Sequence, residues 1–329
     1  MSKREKFHIP ELYASYENVK SLKIEAANLI SWDLTPRQLC DLELLMNGGF
    51  YPLNGFLNKT DYDGVVENMR LANGSLWPIP INLDVTASFA KSLNNGQRIA
   101  LRDQEGVIIA ILEIADIYEP NKNKEAEYVY GTNDISHPSV NYLYNKAGDI
   151  YLGGKITGIQ PVVHYDFRAI RDTPNELRSF FQKVGWDRIV AFQTRNPLHR
   201  AHQELTFKAA KDAQANLLIH PVVGMGKPGD IDHFTRVRCY EAVIDQYPAA
   251  TTSMSLLNLA MRMGGPREAL WHGLIRKNHG CTHLIIGRDH AGPGLDSNGE
   301  SFYGPYDAQK LFKEHEDEIG IKMIDFKHM

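Results

Sequence analysis

"DRIVAFQTRNPLHRAH", residues 187–202, indicates the fold class of this chain, because an apolar segment passes directly into a polar one. The segment DRIVAF predicts a short buried strand, and we expect the following residues to open a helix with Asn196 as its N-cap and Pro197 at its first position. In open α/β sheets, ligands bind at the carboxyl ends of strands, where helix N-termini favour anions. The stretch therefore predicts a ligand-binding loop at the edge of a parallel sheet.

The polar part of this stretch has three possible interpretations, of which the first is a zinc site. Arg195 carries a planar guanidinium that fits phosphate or sulfate oxygens, and His199 and His202 are spaced so that both can lie on one side of a helical turn. Their spacing is not the HExxH of a zinc site, and Arg200 would repel a metal cation. The other two interpretations are an anion or nucleotide site, and a capped helix whose histidines form only local hydrogen bonds.

A second stretch, "LIIGRDHAGPG" at 284–294, has a similar arrangement. It too places an arginine, an acid and a histidine after a buried apolar strand, and Gly287 and Gly292 would let the backbone approach a ligand closely. The purely structural alternative is a loop closed by an ion pair between Arg288 and Asp289. Two such strand ends in one sheet favour a shared crevice with concentrated positive charge, as a nucleotide triphosphate and a second anion require.

The first half of the chain predicts a β-rich domain. Thr35, Pro36 and Gln38 form a helix start with a capping box, and we expect this one clear helix to end at Gly48. Strands are predicted at 97–101 and 107–114, joined by a turn. Short strands with frequent turns favour a small barrel or sandwich over residues 1–165.

The second half, residues 166–329, alternates helices and strands. Thr173 is predicted to cap a helix that ends at Gly185, and Pro266 to start another that stops at Gly280. Between these helices lie the apolar segments of the two quoted stretches and a third at 216–223. This alternation predicts a parallel sheet of the doubly wound α/β class.

Composition excludes several classes of protein. The 329 residues carry a formal charge of −4, which gives no support to a nucleic-acid partner. The three cysteines, Cys40, Cys239 and Cys281, are too far apart for a CxxC site and predict a reducing compartment. The sequence has neither a secretory signal nor an apolar run of about 18 residues. We therefore expect a cytoplasmic protein that binds neither membranes nor nucleic acids.

The motifs "QTRNPLHRAH" at 193–202 and "GRDHAG" at 287–292 resemble the two signature stretches of the ATP sulfurylase (sulfate adenylyltransferase) family. HxxH alone is a weak signal, whereas the long stretch at 264–292 that ends in GRDHAG is much more specific. The resemblance extends over nearly the whole chain. Four further segments are similar to that family: NGGFYPLNGFL at 47–57, KPGDIDHFTRVRCY at 227–240, GGPREALWHGLIRKNHGCTHLII at 264–286 and YGPYDAQ at 303–309.

The resemblance implies an N-terminal PUA-like β-barrel domain followed by a Rossmann-like nucleotidylyltransferase domain. It also implies a reaction, in which ATP and sulfate give adenosine 5′-phosphosulfate and pyrophosphate with Mg²⁺, and which some members run in reverse. No GxSxG elbow is present and no cysteine lies in either loop, so we expect direct in-line attack of sulfate on the α-phosphorus, without a covalent intermediate.

The resemblance also assigns residues to roles. Catalytic positions are Thr194, Arg195, Asn196, His199 and His202. Nucleotide contacts are assigned to Gln193, Thr194, Arg195, Asn196, His199, His202, Gly287, Arg288, Asp289 and His290. Sulfate is assigned to Gln193 and Arg195 with the backbone at Ala291, and the two HxxH histidines to the triphosphate and the departing pyrophosphate. No protein ligands to a metal are expected.

Family members continue beyond the position of Met329, and the next residues help to enclose the nucleotide. We therefore expect the activity of the chain to depend on a continuation. A small C-terminal domain and, in some relatives, an adenylylsulfate kinase domain would also lie there, because no GxxxxGK[ST] motif is present. The cysteine cluster that binds structural zinc in some relatives is absent, so no zinc is expected. A homo-oligomer, such as a dimer, is expected.

Three alternatives stay open at this point. One is a nucleotidylyltransferase that acts on another phosphate-bearing acceptor, because HxxH at a helix start suits that class. Another is RNA binding through the PUA-like domain, which the charge of −4 and the lack of an aromatic–basic run oppose. The third is a scaffold role in a larger complex. Neither the direction of the reaction in the cell nor its place in sulfate assimilation or dissimilatory sulfur metabolism follows from the sequence.

Overall fold

The computed structural model describes residues 8–227 and 229–325. Its first half contains a six-stranded mixed sheet. The strands are β1 (Ser31–Asp33), β2 (Gly55–Phe56), β3 (Leu83–Val85), β4 (Arg98–Arg102), β5 (Ile108–Tyr118) and β6 (Ile150–Gly158). Their order is β1-β4-β5-β6-β2, with β3 also paired to β6, and β5 and β6 form the longest antiparallel pair. The strands predicted at 97–101 and 107–114 are present as β4 and β5, but within the described residues of this half helices cover more of the chain than strands.

The helix predicted at Thr35 is present as α2, Pro36–Met46. Thr35 accepts a hydrogen bond from the backbone of Gln38, whose side chain accepts one from the backbone of Thr35 in return. Gly48 follows with φ of +83°, a conformation that glycine adopts without strain. The capping box and the glycine stop therefore bound this helix as the sequence predicts.

The prediction of only one helix in the first half is wrong, because residues 8–165 contain six. They are α1 (Tyr16–Ala26), α2, α3 (Lys59–Asn68), α4 (Ala87–Ala90), α5 (Lys122–Tyr130) and α6 (Pro138–Asn145). Four of the missed helices are capped by a side chain, from Asn58, Thr86, Asn121 and His137. These helices are short and carry few buried residues, so their apolar stripes are weak signals beside those of the strands.

The second half forms a five-stranded sheet in the order β11-β10-β7-β8-β9, with every neighbouring pair parallel. Its strands are β7 (Ile189–Phe192), β8 (Asn216–Ile219), β9 (Thr252–Met254), β10 (His283–Ile286) and β11 (Lys322–Asp325). Its helices are α7 (Pro174–Lys183), α8 (Arg200–Asp212), α9 (His233–Ile244), α10 (Gly265–Asn278) and α11 (Asp307–Ile319). The α/β class with a parallel sheet is confirmed, including the capping box at Thr173.

One hydrophobic core extends across both halves. The rings of Trp77 and Phe50 from the first half pack in the same buried cluster as Trp271 and Ile275 of α10. A domain boundary between residues 165 and 166 stays a prediction, because these halves share a core. No helix within 8–227 or 229–325 is long and apolar enough to cross a membrane.

His137 is a buried residue where the two halves meet. Its Nδ1 accepts a hydrogen bond of 3.2 Å from the backbone of Ser139 and so caps α6, while its Nε2 lies 3.1 Å from the carbonyl oxygen of Met263. Burial lowers the pKa of His137 from 6.5 to about 4. The folded state therefore favours the neutral ring.

We expect this ring to make the protein less stable in acid. As the pH falls from about 6.5 to about 4, the unfolded chain binds a proton that folded His137 excludes, so the free energy of unfolding decreases. His137→Asn retains a capping side chain and removes the titrating ring, and should lessen this decrease by up to roughly 3 kcal/mol. Urea unfolding of both proteins at several pH values measures the difference. The same loss of stability in both would contradict the prediction.

Candidate functional site

The two quoted loops lie side by side because β7 and β10 are neighbouring parallel strands. His283 is in register with Val190 and Leu284 with Ala191, so both strands deliver their loops to the same edge of the sheet. Burial raises the pKa of the Asp289 carboxyl in the second loop, and the positive charges of Lys227 and Arg195 oppose this effect. The structure thus brings the two loops together, as the sequence predicts.

The predicted start of the helix after β7 is wrong. Helix α8 begins at Arg200, and its N-cap is His199, without a capping hydrogen bond from the side chain. The residue expected as the cap, Asn196, lies in a separate turn, where its N–H donates to the hydroxyl of Thr194 at 3.1 Å. The Tyr240 hydroxyl also donates to the Asn196 carbonyl at 2.8 Å. These bonds hold 194–196 out of the helix, so Pro197 lies in the loop rather than at the first helical position.

His199 and His202 do lie on one side of the helix start. Their ring centroids are 3.9 Å apart, and the His202 ring also contacts Phe192 at 5.7 Å. Burial and the neighbouring His199 lower the pKa of His202. The buried Nδ1 of His202 has no hydrogen-bond partner among the described residues. The unpartnered ring nitrogen could contact a bound anion. Two protonated imidazole rings this close would repel each other, and an anion beside them would offset that repulsion.

Arg195 is held by a carboxylate of the protein itself. Its guanidinium forms an ion pair with Asp230, and both side chains are largely buried, with 18% and 11% exposed. The Arg195 carbonyl accepts a hydrogen bond of 3.0 Å from Arg236 of α9. Asp230 also accepts one of 3.0 Å from the backbone of Lys227. An anion that binds Arg195 must therefore replace or share the Asp230 carboxylate.

A buried network on α10 connects the two loops. His272 is fully buried, and its Nε2 lies 3.3 Å from Glu268 and 3.4 Å from Nε2 of Gln193 in the first loop. Its Nδ1 lies 2.9 Å from Nε2 of His290 in the second loop. Burial lowers the pKa of His272, although the Glu268 carboxylate opposes this effect. Burial opposes ionisation of Glu268, but hydrogen bonds from His272 and from two backbone amides keep its pKa below the usual value.

In the second loop, the role expected for Gly292 is not the one that the structure shows. A Cβ added to Gly287 would meet open space, which agrees with close approach of a ligand, whereas a Cβ on Gly292 would lie 2.1 Å from the Asp289 carboxylate. The glycine at 292 is therefore required by Asp289. Ala291 has a φ of +55° and its carbonyl accepts a hydrogen bond from the backbone of Gly265. Arg288 is exposed, and the described part of the chain shows no ion pair between it and Asp289.

Sequence reasoning missed several residues that shape the site. Asp230, Tyr240 and His272 contact the predicted residues from the loop before α9, from α9 and from α10, and Glu268 of α10 contacts His272. Two segments quoted for the family resemblance contain them, but no local pattern shows what they contact. Among residues 8–227 and 229–325, no three side chains of His, Cys, Asp or Glu are grouped as metal ligands.

The chain is thus an α/β protein in which a mixed-sheet half is joined to a parallel-sheet half, with arginine and histidine side chains at one edge of the parallel sheet. The family model described as ATP-sulfurylase matches residues 168–329, and that described as PUA-like domain matches residues 3–161. The chain belongs to the ATP sulfurylase family.

Proteins similar to this chain bear names that agree with the family. A sulfate adenylyltransferase of Neosartorya fischeri is 58% identical over 94% of this chain and 54% of its own length. One of Schizosaccharomyces pombe is 57% identical over 94% of this chain and 64% of its own. A solved structure titled as a hexameric APS kinase from Thiobacillus denitrificans matches 98% of this chain and 56% of its own, with TM-score 0.77 and 32% identity. The chain thus spans between about half and two thirds of these relatives' lengths.

Proposed function

We propose that the chain carries the catalytic site of a sulfate adenylyltransferase, which converts ATP and sulfate reversibly into adenosine 5′-phosphosulfate and pyrophosphate. The observation that carries this proposal is the pairing of two loops at one sheet edge, with Arg195 in one, His290 in the other and His272 between them. The names of the similar proteins support the choice of sulfate as the acceptor.

Sulfate is a weak nucleophile, so the site must act by positioning two anions and neutralising their charge. In the proposal, Gln193, Arg195 and the backbone at Ala291 bind sulfate, and Thr194 and Asn196 fix the loop between them. The ion pair with Asp230 shows that the Arg195 guanidinium already lies against an anionic group. A sulfate oxygen then attacks the α-phosphorus in line with the departing pyrophosphate.

The nucleotide would occupy the other side of the crevice. His199 and His202 lie at the start of α8, where unpaired backbone N–H groups add partial positive charge, and they would stabilise the charge that develops on pyrophosphate. We assign the second nucleotide contact to the loop residues Gly287, Arg288, Asp289 and His290. The open space beside Gly287 supports this assignment.

Magnesium fits this site only as part of the substrate. The described residues do not group three carboxylate, imidazole or thiolate ligands, whereas Mg²⁺ commonly binds substrate phosphates while it keeps several waters. We propose that Mg²⁺ binds the phosphate oxygens of ATP, where it would neutralise charge, and no residue of this chain is assigned to it.

The direct test is formation of ATP from adenosine 5′-phosphosulfate and pyrophosphate. We expect activity from this chain or from a polypeptide extended past Met329, and ATP formation should require both substrates. In the forward direction, pyrophosphate release should depend on sulfate, or on molybdate in its place. Absence of activity in both proteins would contradict the proposal.

The forward assay also separates this proposal from its enzymatic alternative. A nucleotidylyltransferase for another phosphate-bearing acceptor would release pyrophosphate with that acceptor and not with sulfate. A cytoplasmic location, a homo-oligomer such as a dimer and a kinase domain beyond residue 329 stay predictions, which fractionation, light scattering and the longer sequence would test.

A further inference from the structure

His272 is a buried histidine that contacts both loops without belonging to either. It lies in the middle of α10, and neither its side chain nor that of Glu268, one helical turn earlier, is exposed at all. Its Nε2 faces Glu268 and Gln193, and its Nδ1 faces His290. A buried polar residue with this many directed contacts fixes the orientation of its neighbours.

The contacts of Glu268 determine which nitrogen of His272 carries the proton. Glu268 accepts hydrogen bonds from the backbone N–H groups of Arg262 at 3.0 Å and Gly264 at 2.7 Å, so its carboxylate is fixed at the start of α10. An ionised carboxylate only accepts hydrogen bonds, and the group facing it must therefore donate. The Nε2 of His272 thus carries its proton, and the Nδ1 accepts the proton of Nε2 of His290 at 2.9 Å.

This proton arrangement selects one orientation of the Gln193 carboxamide. With the amide nitrogen facing His272, two donors meet at 3.4 Å, and the buried Oε1 of Gln193 has no partner among the described residues. The oxygen and nitrogen of an amide are assigned from the hydrogen bonds they can form. Rotation of the amide by half a turn brings Oε1 against the Nε2–H of His272 and directs the NH₂ group away from it.

We propose that His272, fixed by Glu268, is a positioning residue that turns the NH₂ group of Gln193 towards the bound oxyanion and holds the His290 ring beside it. This inference rests on the proposed function, in which Gln193 binds sulfate. An NH₂ group can donate to sulfate oxygens, whereas the carbonyl oxygen of the same amide would repel them. His272 would thus favour sulfate binding without touching sulfate.

Two substitutions separate the two sides of the ring. In His272→Gln an amide replaces the Nε2 side, which faces Glu268 and Gln193, and in His272→Asn an amide replaces only the Nδ1 side. We expect His272→Asn to raise the KM for sulfate roughly tenfold or more, because a hydrogen bond to a charged ligand is lost, while the KM for ATP changes little. In His272→Gln, by contrast, the sulfate KM should stay within about threefold of the wild-type value.

The matched control is His279→Asn. His279 is the buried C-cap residue of the same helix, and its Nδ1 lies 2.8 Å from the Ile275 carbonyl, away from both loops. This variant should leave the sulfate KM unchanged. Similar increases in the KM values of both substrates in His272→Asn, or equal sulfate KM values in His272→Asn and the wild type, would overturn the inference.

A measurement that does not depend on turnover completes the test. Nitrogen-15 NMR of the imidazole should show His272 protonated at Nε2 and not at Nδ1 in the wild-type protein. Protonation at Nδ1 would overturn the inference even in an active enzyme. If His272 has the expected tautomer but the wild type shows no sulfate-dependent pyrophosphate release, the proposed function fails, and with it the role of Gln193 in sulfate binding.

Discussion

Arg195→Ala is expected to lower turnover by about 10²–10³-fold, the usual cost of removing one donor to transition-state charge. The guanidinium belongs to the first loop and is largely buried against Asp230, where a charged group acts through little water. Steady-state assays of pyrophosphate release at saturating ATP and sulfate measure this loss. Arg195→Lys should recover only part of it, because an ammonium group cannot form the bidentate contact.

Arg200→Ala is the matched control for this prediction. Arg200 lies five residues later at the start of α8, its side chain is 90% exposed, and it forms an ion pair of 3.3 Å with Glu204. An exposed ion pair of this kind contributes about 0–1 kcal/mol, so its loss should leave turnover within about twofold of the wild type. Near-normal turnover in Arg195→Ala, or equal losses in both variants, would remove Arg195 from the catalytic role.

Helix starts in this chain could be predicted where the capping side chain and its backbone partner are only a few residues apart in the sequence. The capping boxes at Thr35 and Thr173 each bond to a backbone N–H three residues later, so the sequence contains both partners. Asn196 followed by Pro197 has the same local composition but does not start a helix. The competing partner is the hydroxyl of Tyr240, 44 residues away, and no local pattern reveals it.

The site was predictable to a similar degree. That both loops follow strands of one parallel sheet could be inferred from periodicity, because parallel strands end at the same edge. The ion pair of Arg195 with Asp230 and the contacts of His272 with Gln193 and His290 depend on how α9 and α10 pack. Such contacts are determined by tertiary structure, so the sequence alone indicates the residues in the loops but not those that hold them.

The two halves of the chain are also joined by a buried ion pair. Asp41 of α2 and Arg262, just before α10, are 2% and 1% exposed, and their side chains approach to 2.5 Å. Arg262 also donates to the Ala260 carbonyl and stacks on Trp271, with 5.3 Å between its guanidinium carbon and the ring centroid. Removal of one partner from such a pair leaves an uncompensated charge in the core.

Asp41→Ala is therefore expected to lower the free energy of unfolding by about 3–5 kcal/mol, because the Arg262 charge stays buried without its carboxylate. Replacement of both partners, as Asp41→Leu with Arg262→Met, should recover most of this loss, since it removes both charges and fills their volume.

The control is Arg70→Ala, which breaks an exposed ion pair with Glu318 that also joins the two halves and should cost less than about 1 kcal/mol. Urea unfolding followed by tryptophan fluorescence measures all three. A loss in Asp41→Ala no larger than that in Arg70→Ala would show that the buried pair contributes little to holding the halves together.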